Sequence, residues 1–448
     1  MTPTANRSRL FVASCVALIV TAMSFAIRGD IMGDLESQFD LSKVQVGWIA
    51  GTAFWGFTLA MVIGGPLCDV LGMKRLVLFA FAGHAAGILL TIFANGFATL
   101  YAGTLCIGIA NGFVEAACNP LIATVYPYNK THKLNQFHVW FPGGIVIGGL
   151  AAFAISKMGM GDAAWQVKMG TMLLPMLIYG ALFFGQKFPV TERVASGVSM
   201  SSMFAACGRP LFLVIVLCMF LTASTELGPG QWIPNILTFS AGVSGILVLV
   251  WINGLMAVGR QFAGPVVHRL KPSGMLFCSA ILSAIGLFLL SRAAGAVPTF
   301  AAATVFAAGV CYFWPTMLGF VAERMPKTGA LGLSITGGAG MLAVSFILPL
   351  MGKLYDTKID EAIPEGQTRG AISASDADPA MKEIWNQVQA EGGAATLALV
   401  AGLPLILIIV FGAIFFTDRA KGGYKAEKLG AAGSDASPAD VPPAPDDA

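Results

Sequence analysis

Charged residues are scarce in this sequence. Asp, Glu, Lys and Arg make up 11% of the chain, whereas a soluble domain carries roughly 25%. Hydrophobic residues reach 56%, and Gly, Phe and Met are abundant, a composition typical of helices that pack closely within a lipid bilayer. The net charge of +3 gives no reason to expect a nucleic-acid partner. The composition therefore predicts an integral membrane protein.

The sequence also lacks the motifs of most enzymes. Its eight cysteines form no CxxC motif and no Cys/His spacing that would suggest a metal site. No nucleophile–base pair and no phosphate-binding glycine loop is recognisable, and a sizeable soluble domain, typical of membrane sensors, is absent. We therefore expect no enzymatic activity, no cofactor, no metal ion and no disulfide bond.

Apolar segments near the ~20 residues needed to cross a bilayer recur along the whole chain. They predict an all-α membrane protein with twelve transmembrane helices, near residues 10–33, 44–66, 76–95, 97–126, 136–156, 164–186, 210–237, 244–267, 274–292, 298–321, 330–351 and 394–416. Most Lys and Arg residues fall in the segments that would share one side of the membrane with both chain ends. The positive-inside rule therefore predicts cytoplasmic termini in a plasma (inner) membrane.

An internal echo predicts that the chain consists of two related halves. The segment GPLCDVL at 65–71 returns as GPVVHRL at 264–270, and further matches keep nearly the same register. The predicted boundaries are an N-terminal six-helix half over residues 1–188, a cytoplasmic linker over 189–209, a C-terminal six-helix half over 210–418 and a disordered cytoplasmic tail over 419–448, rich in Pro, Ala and Asp.

Gly65, Asp69, Gly72, Lys74 and Arg75 form a loop pattern between the second and third spans. This pattern, with the two parallel repeats, resembles the major facilitator superfamily, whose substrate site lies at mid-membrane between the halves. Glycine permits a tight turn and a close helix approach, while the carboxylate can cap the amides of a neighbouring helix. We expect the motif to control conformation; an ordinary charged turn is the alternative.

Three segments carry a closer resemblance: RGDIMGDLESQF at 28–39, VEAACNP at 114–120 and HKLNQFHVWFPGG at 132–144. They are similar to the corresponding segments of the fucose:proton symporter family. TELGPGQWIP at 225–234 and GLMAVGR at 254–260 resemble the wider sugar-transporting relatives of that group. The resemblance implies sugar transport, and it implies roles in proton coupling and sugar binding for Asp30 and Glu115.

Five ionisable residues are predicted at membrane depth: Arg28, Asp30, Glu115, Glu226 and Arg260. Such residues are functional candidates by default. Arg28 and Asp30 have an alternative position at the outer end of the first span, and Arg260 has one near the inner face. Glu226 precedes a Gly-Pro-Gly sequence, which indicates either a binding-site helix break or a plain kink.

Glu115 is the main candidate for proton coupling. Asn111 and Asn119 lie four residues before and after it, so the three side chains share one helix face. Burial disfavours the charged form of a carboxylate, so such an acid can take up a proton on one side of the membrane and release it on the other. A neutral Glu hydrogen-bonded to another helix is the structural alternative. We expect His84 and His138 to be packed or hydrogen-bonded and not to form a proton relay.

Amide and aromatic side chains predict a cavity for a neutral polyol, because amides donate to and accept from hydroxyl groups and aromatic faces pack against sugar rings. The candidate substrate-binding residues are Asn111, Asn119, Gln136, Trp140, Glu226, Gln231, Trp232, Asn235, Trp251, Asn253, Tyr312 and Trp314. Anchoring at the membrane interface is the alternative role for the Trp residues. A carboxylated substrate would need an unpaired cation, for which Arg28 and Arg260 are the candidates.

The sequence therefore predicts a proton-coupled importer of a small neutral sugar, a hexose or a deoxyhexose such as fucose. We expect a monomer whose partners are its substrate, protons and the lipid bilayer. The alternatives are a Na⁺-coupled sugar symporter and a proton-coupled exporter of drugs or organic anions.

Overall fold

The computed structural model describes residues 6–41, 43–161, 164–240, 242, 245–369, 372, 379–427 and 429. Over these residues the chain is helical and contains no strand. The first helices are α1 (Arg7–Gln38), α2 (Lys43–Leu71), α3 (Met73–Ile92), α4 (Phe97–Val125), α5 (Lys130–His138), α6 (Trp140–Lys157), α7 (Ala164–Gly170), α8 (Leu173–Phe183), α9 (Glu192–Ala195) and α10 (Met200–Cys207). The later helices are α11 (Pro210–Ser240), α12 (Gly245–Gln261), α13 (Ala263–Leu290), α14 (Ala296–Val310), α15 (Phe313–Arg324), α16 (Gly329–Ala362), α17 (Pro379–Val400) and α18 (Leu403–Ala420).

The helices account for every predicted membrane span. Eleven described segments are long and apolar enough to cross a bilayer, and the shorter apolar helix Leu247–Gln261 lies where the eighth span is predicted. Several spans consist of two helices in succession, as α5 with α6 and α14 with α15 do. The prediction of an all-helical membrane protein is confirmed.

The spans pack into two groups. In the first, α4 lies against α2 and α3, and α1 lies against α6 and α8. In the second, α13 packs on α14 and α18, and α16 packs on α11 and α17. We call α1–α8 the N half and α11–α18 the C half; they meet where α2 contacts α16, α5 contacts α15 and α6 contacts α12.

Two membrane spans break just before a proline. The span formed by α5 and α6 breaks at Val139, three residues before Pro142, and the span formed by α14 and α15 breaks at Cys311 and Tyr312, before Pro315. A proline has no N–H for the helical bond and its ring crowds the preceding turn. The prolines leave the buried carbonyls of His138 and Cys311, four residues earlier, without a helical N–H partner.

Both ends of the described chain lie on one side of the molecule, which we call the terminal face; the other side is the opposite face. Arg9 near the start of α1 donates to the carbonyl of Leu182 at the end of α8, at 2.8 Å. Asp418 near the end of α18 pairs with Arg324 at the end of α15, at 2.6 Å. Beyond α18, Tyr424 packs against Phe320.

The loop motif lies on the terminal face and has a buried acid. Asp69 accepts hydrogen bonds from Thr191 at 2.5 Å and from Arg193 at 2.7 Å, and its side chain is fully buried. Gly72 has a φ of 83°, which a residue with a side chain rarely adopts. Lys74 and Arg75 are exposed. The acid therefore fastens the end of α2 to the segment that follows α8.

The two echoed glycines both lie where the halves touch at the terminal face. A Cβ atom on Gly65 would lie 2.8 Å from the Cβ of Ser334 in the C half. A Cβ atom on Gly264 would lie 3.0 Å from the ring of His132 in the N half. These positions therefore need glycine for the close approach of the halves. A hydrogen bond also joins the halves here, because Glu323 of the C half accepts from the Thr131 hydroxyl of the N half at 2.6 Å.

Candidate functional site

A cavity lies between the halves and combines aromatic, apolar and charged side chains. Its volume is about 20 Å³, room for about one water molecule, so a larger molecule can enter only if the halves move apart. The residues that line it are Phe57, Glu115, His138 and Phe141 from the N half, and Glu226, Leu227, Arg260, Trp314 and Met341 from the C half.

Glu115 lies in this cavity with only 2% of its surface exposed. The amide of Asn119, one helical turn away, donates to Glu115 Oε2 at 2.5 Å. His138 Nε2 is 3.0 Å from Asn119 Oδ1 and 3.8 Å from Glu115 Oε2. Among the described residues, Glu115 forms no ion pair with Lys or Arg. The carboxyl group therefore contacts an amide and an imidazole, while Arg260 lines the same cavity without forming an ion pair with it.

Asn111 belongs to a separate buried network. Its amide donates to Ser24 at 2.9 Å, and its carbonyl oxygen is 2.8 Å from His84 Nε2. The other ring nitrogen of His84 is 2.9 Å from the Tyr179 hydroxyl. This network joins α1, α3, α4 and α8 of the N half, and none of its residues lines the cavity. Both His84 and His138 are hydrogen-bonded, as expected.

Arg260 is the cation of the cavity and is 1% exposed. Its Nη2 atom lies 3.0 Å from Glu226 Oε1, Nε donates to the carbonyl of Cys311 at 2.6 Å, and Nη1 donates to the carbonyl of His138 at 3.0 Å. The last bond crosses from the C half to the N half. Among the described residues its ion pair is with Glu226 of α11 and not with an acid in a loop, so Arg260 is buried at the cavity.

Two polar atoms at the cavity have no partner among the described residues. They are Glu226 Oε2, an acceptor, and Trp314 Nε1, a donor. Buried polar atoms are rarely left unsatisfied. The two atoms can therefore bind polar groups of a molecule that enters the cavity.

Asp30 and Arg28 lie further along α1, toward the opposite face. The Asp30 side chain is 39% exposed and pairs with Lys168 of α7 at 2.6 Å, so it is not in contact with Glu115. Arg28 is 8% exposed and lies over the ring of Phe25, 5.1 Å from its centroid. Within the described residues Arg28 has no ion-pair or hydrogen-bond partner. The coupling role of Asp30 stays a prediction.

Aromatic rings connect Arg28 to the cavity. The Phe25 ring beneath Arg28 lies 5.8 Å from the ring of Phe141, which lines the cavity, and 5.7 Å from that of Phe54. An unpaired guanidinium group therefore lies one aromatic layer from the cavity wall.

The other predicted substrate residues whose side chains the structure describes do not line the cavity. Gln136, Trp140 and Gln231 are partly or largely exposed, and the side chain of Asn235 lies outside the described part of the chain. Backbone carbonyls accept from Trp232, Asn253 and Tyr312, and Trp251 donates to Thr304. Of the twelve predicted residues, Glu226 and Trp314 line the cavity and Asn119 bonds to Glu115. Substrate contacts by all twelve stay predictions.

Several cavity residues were absent from the sequence-based candidates. Phe57 and Met341 carry no signal that separates them from other apolar residues in the spans, whereas Leu227 falls within the segment at 225–234 that carries a family resemblance. His138 and Phe141 fall within the segment at 132–144 that carries a family resemblance, so that segment was the available signal.

The sequence matches a known family of membrane transporters. The sequence profile of the Major Facilitator Superfamily matches residues 10–347. The 3-(3-hydroxy-phenyl)propionate transporter of Escherichia coli (strain K12) is 24% identical over 388 residues, which cover 83% of this chain and 87% of that protein.

Two solved structures have the same fold. A crystal structure of the E. coli fucose:proton symporter has a TM-score of 0.65 at 15% identity and covers 88% of this chain and 98% of that one. The proton:xylose symporter XylE bound to 6-bromo-6-deoxy-D-glucose has a TM-score of 0.70 at 13% identity, with 91% and 95% covered. Such identities show the fold alone. The chain belongs to the Major Facilitator Superfamily, and it is a multi-pass membrane transporter and not an enzyme.

Proposed function

We propose that the protein is a proton-coupled importer of a small hydroxylated substrate and that Glu115 is its coupling acid. The observation that carries the proposal is the position of Glu115, buried in the cavity between the halves with no Lys or Arg partner among the described residues. A protonated Glu115 is neutral and suits an enclosed cavity. A charged Glu115 is costly there, so the two forms favour different conformations of the carrier.

The direction of transport follows from the proposed orientation. Lys74 and Arg75 are exposed on the terminal face, at the end of α2 and the start of α3. Basic residues in short loops favour the cytoplasmic side. We therefore place the terminal face, with both chain ends, in the cytoplasm of the cell whose inner membrane holds the protein. A proton gradient directed inward then drives import.

A neutral sugar is the first candidate for the substrate. Within the described cavity Arg260 is paired with Glu226, so no free cation lines it. An unpartnered acceptor on Glu226 and an unpartnered donor on Trp314 suit hydroxyl groups, and the rings of Phe57 and Phe141 suit the apolar face of a sugar. The shared fold with two proton:sugar symporters supports this candidate.

An organic acid is the second candidate, and Arg28 is the observation that favours it. A buried guanidinium group without a partner can bind a carboxylate with two parallel hydrogen bonds. The neighbouring rings of Phe25 and Phe141 would accommodate an aromatic body. The relative that transports 3-(3-hydroxy-phenyl)propionate supports this candidate.

Uptake into proteoliposomes tests the proposal. Radiolabelled fucose, glucose, glucuronate and 3-(3-hydroxyphenyl)propionate are offered with an inward proton gradient, with no gradient, and with an inward Na⁺ gradient. We expect at least one of them to accumulate only with the proton gradient and to acidify the lumen as it enters. Accumulation that follows Na⁺ instead would assign the coupling to that ion, and release driven by inward protons would make the protein an exporter.

A further inference from the structure

We propose that Arg260 is the positioning residue that couples proton binding at Glu115 to the packing of the two halves. This inference rests on the proposed proton coupling. Arg260 belongs to α12 of the C half, yet one of its three hydrogen bonds reaches the carbonyl of His138 in the N half. The other two remain in the C half, on Cys311 and Glu226.

Two prolines supply the backbone acceptors for Arg260. In a helix the carbonyl of residue i accepts from the N–H of residue i+4. The residue four after His138 is Pro142, and the residue four after Cys311 is Pro315. Neither proline has an N–H, so both carbonyls lose their helical donor, and a buried carbonyl needs another. Arg260 donates to both.

The shape of the guanidinium group suits this position. It presents donors in several fixed directions in one plane, whereas a Lys ammonium group is a point charge at the end of a flexible chain. Nε, Nη1 and Nη2 each bond to a different element: the α14–α15 break, the α5–α6 break and α11. Arg260 therefore holds both broken spans at a fixed distance from Glu226.

His138 connects this arrangement to the proton site. Its ring nitrogen shares Asn119 with Glu115, and its carbonyl is the acceptor for Arg260. A displacement of Glu115 upon protonation therefore reaches Arg260 through Asn119 and His138.

The charges in the cavity give the coupling its direction. When Glu115 is neutral, the cavity holds one carboxylate, Glu226, and one guanidinium group, Arg260, which are paired. When Glu115 is charged, two carboxylates attract one guanidinium group, and Glu115 draws Arg260 toward the N half. The two protonation states therefore favour different positions of Arg260 relative to the halves.

Other titratable groups near Glu115 are neutral side chains in buried positions. Cys118 follows on the same helix, with Cys15 of α1 and Cys68 of α2 beside it, and all three thiols are buried. His84 of α3 contacts Asn111 and not Glu115. The charged groups that face Glu115 are therefore His138, when protonated, Arg260 and Glu226.

The test measures the distance between the halves and needs no substrate. Spin labels are attached at Lys187→Cys and Lys327→Cys, which are exposed on the terminal face in the N half and the C half. The partly exposed Cys106 and Cys278 are replaced by Ala. Double electron–electron resonance in nanodiscs then gives the distance distribution between pH 5 and pH 8.

We expect the distribution to shift with pH in the otherwise native protein and the shift to be lost in Arg260→Lys. Pro142→Ala gives the His138 carbonyl a helical N–H that competes with Arg260, and it should reduce the shift. Pro315→Ala gives the Cys311 carbonyl a helical N–H in the same way, but it leaves the bond from Arg260 to the N half intact, so it should reduce the shift less than Pro142→Ala does.

Each outcome has a separate consequence. If Arg260→Lys and Pro142→Ala both keep the native shift, Arg260 does not couple proton binding to the halves. If Arg260→Lys does not fold, Pro142→Ala against Pro315→Ala decides alone. If the native protein itself shows no shift with pH, the proposed proton coupling fails, and this role of Arg260 fails with it.

Discussion

Glu115 accepts a hydrogen bond from Asn119 and faces His138, and among the described residues no Lys or Arg forms an ion pair with it. We predict that Glu115→Gln abolishes accumulation driven by a proton gradient, so that the ratio of internal to external substrate falls to about one. Gln mimics the protonated acid and cannot release a proton, but the loaded carrier can still reorient. Exchange of internal for external substrate should therefore persist and lose its pH dependence.

Counterflow and gradient-driven uptake in the same vesicles measure this difference. Asp30→Asn is measured in parallel, because Asp30 is the other predicted coupling acid and is partly exposed and paired with Lys168. If Glu115→Gln still concentrates the substrate, Glu115 is not the coupling acid. If exchange and accumulation fall together with the melting temperature, Glu115 has only a structural role.

Arg28 separates the two substrate candidates. If the substrate is an organic acid, Arg28→Gln should raise its KM by about 10-fold or more, since a hydrogen bond to a charged group contributes roughly 1.5–3 kcal/mol. Arg28→Lys keeps the charge and loses the bidentate geometry, so it should restore part of the affinity. Neutral sugar uptake should change little in either variant. A sugar KM that rises as much as the acid KM would contradict carboxylate binding at Arg28.

Individual residues differ in how far sequence alone locates them. The buried position of Glu115 at the cavity was predictable, because an ionisable residue in an apolar span almost always faces the interior of the helix bundle or a cavity. Asn111 has the same spacing from Glu115 as Asn119, yet it bonds to His84 and Ser24. Since α4 is packed by other helices on several sides, helical spacing shows that residues share a face and leaves open which neighbour each one meets.

Among the helical elements, the α2–α3 turn and the segment after α8 form a unit through Asp69. We predict that Asp69→Asn slows transport by about 10-fold or more and leaves substrate affinity unchanged within a factor of about two. The change leaves the buried Arg193 without its counter-ion, and breaking a buried pair costs about 3–5 kcal/mol. That cost falls on the conformation in which the halves meet at the terminal face, which changes the transport rate.

Initial rates in proteoliposomes and substrate binding by calorimetry check this prediction. Lys74→Gln is the matched control, because Lys74 belongs to the same motif and is exposed. An unchanged rate in Asp69→Asn would show that the pair does not affect the cycle, and a lost affinity would place Asp69 in the binding machinery.

The helical spans were predictable and their breaks were not. A span is fixed by length and apolarity, and those are visible in the sequence. Pro142 and Pro315 mark spans that break, whereas Pro66 and Pro120 lie inside helices that continue. A neighbouring group takes over the freed carbonyl in both kinds of span, so the presence of such a group does not separate them. Cys68 takes over the carbonyl of Ala116, four residues before Pro120, and Arg260 takes over the carbonyl at both breaks.

Across the whole molecule, the echo at Gly65 and Gly264 indicated two related halves, and both glycines lie where the halves meet. No pattern in the sequence indicates that residues after α18 take part in this contact. The backbone N–H of Glu427 donates to the carbonyl of Glu323 at 2.8 Å, and the Glu323 side chain binds Thr131 of the N half. The segment at 421–427 therefore contacts Glu323, which itself bonds across to the N half.

We predict that truncation after Lys421 shifts the protein toward conformations with a separated terminal face, whereas truncation after Leu429 has no effect. The shorter chain loses Tyr424, which packs on Phe320 and lies over Arg324. Burial raises the pKa of the Tyr424 phenol well above its usual value. Tyr424 therefore stays neutral at physiological pH, and the effect of its loss should not depend on pH between 5 and 8.

The spin labels at Lys187→Cys and Lys327→Cys measure the separation, and Tyr424→Phe is the matched control because it keeps the ring and removes only the hydroxyl. We expect a longer mean distance in the shorter chain and the native distance in Tyr424→Phe. Arg324 should become less constrained in the shorter chain, while its ion pair with Asp418 within the remaining residues persists. An unchanged distance after truncation at Lys421 would show that the segment after Lys421 does not stabilise the contact between the halves.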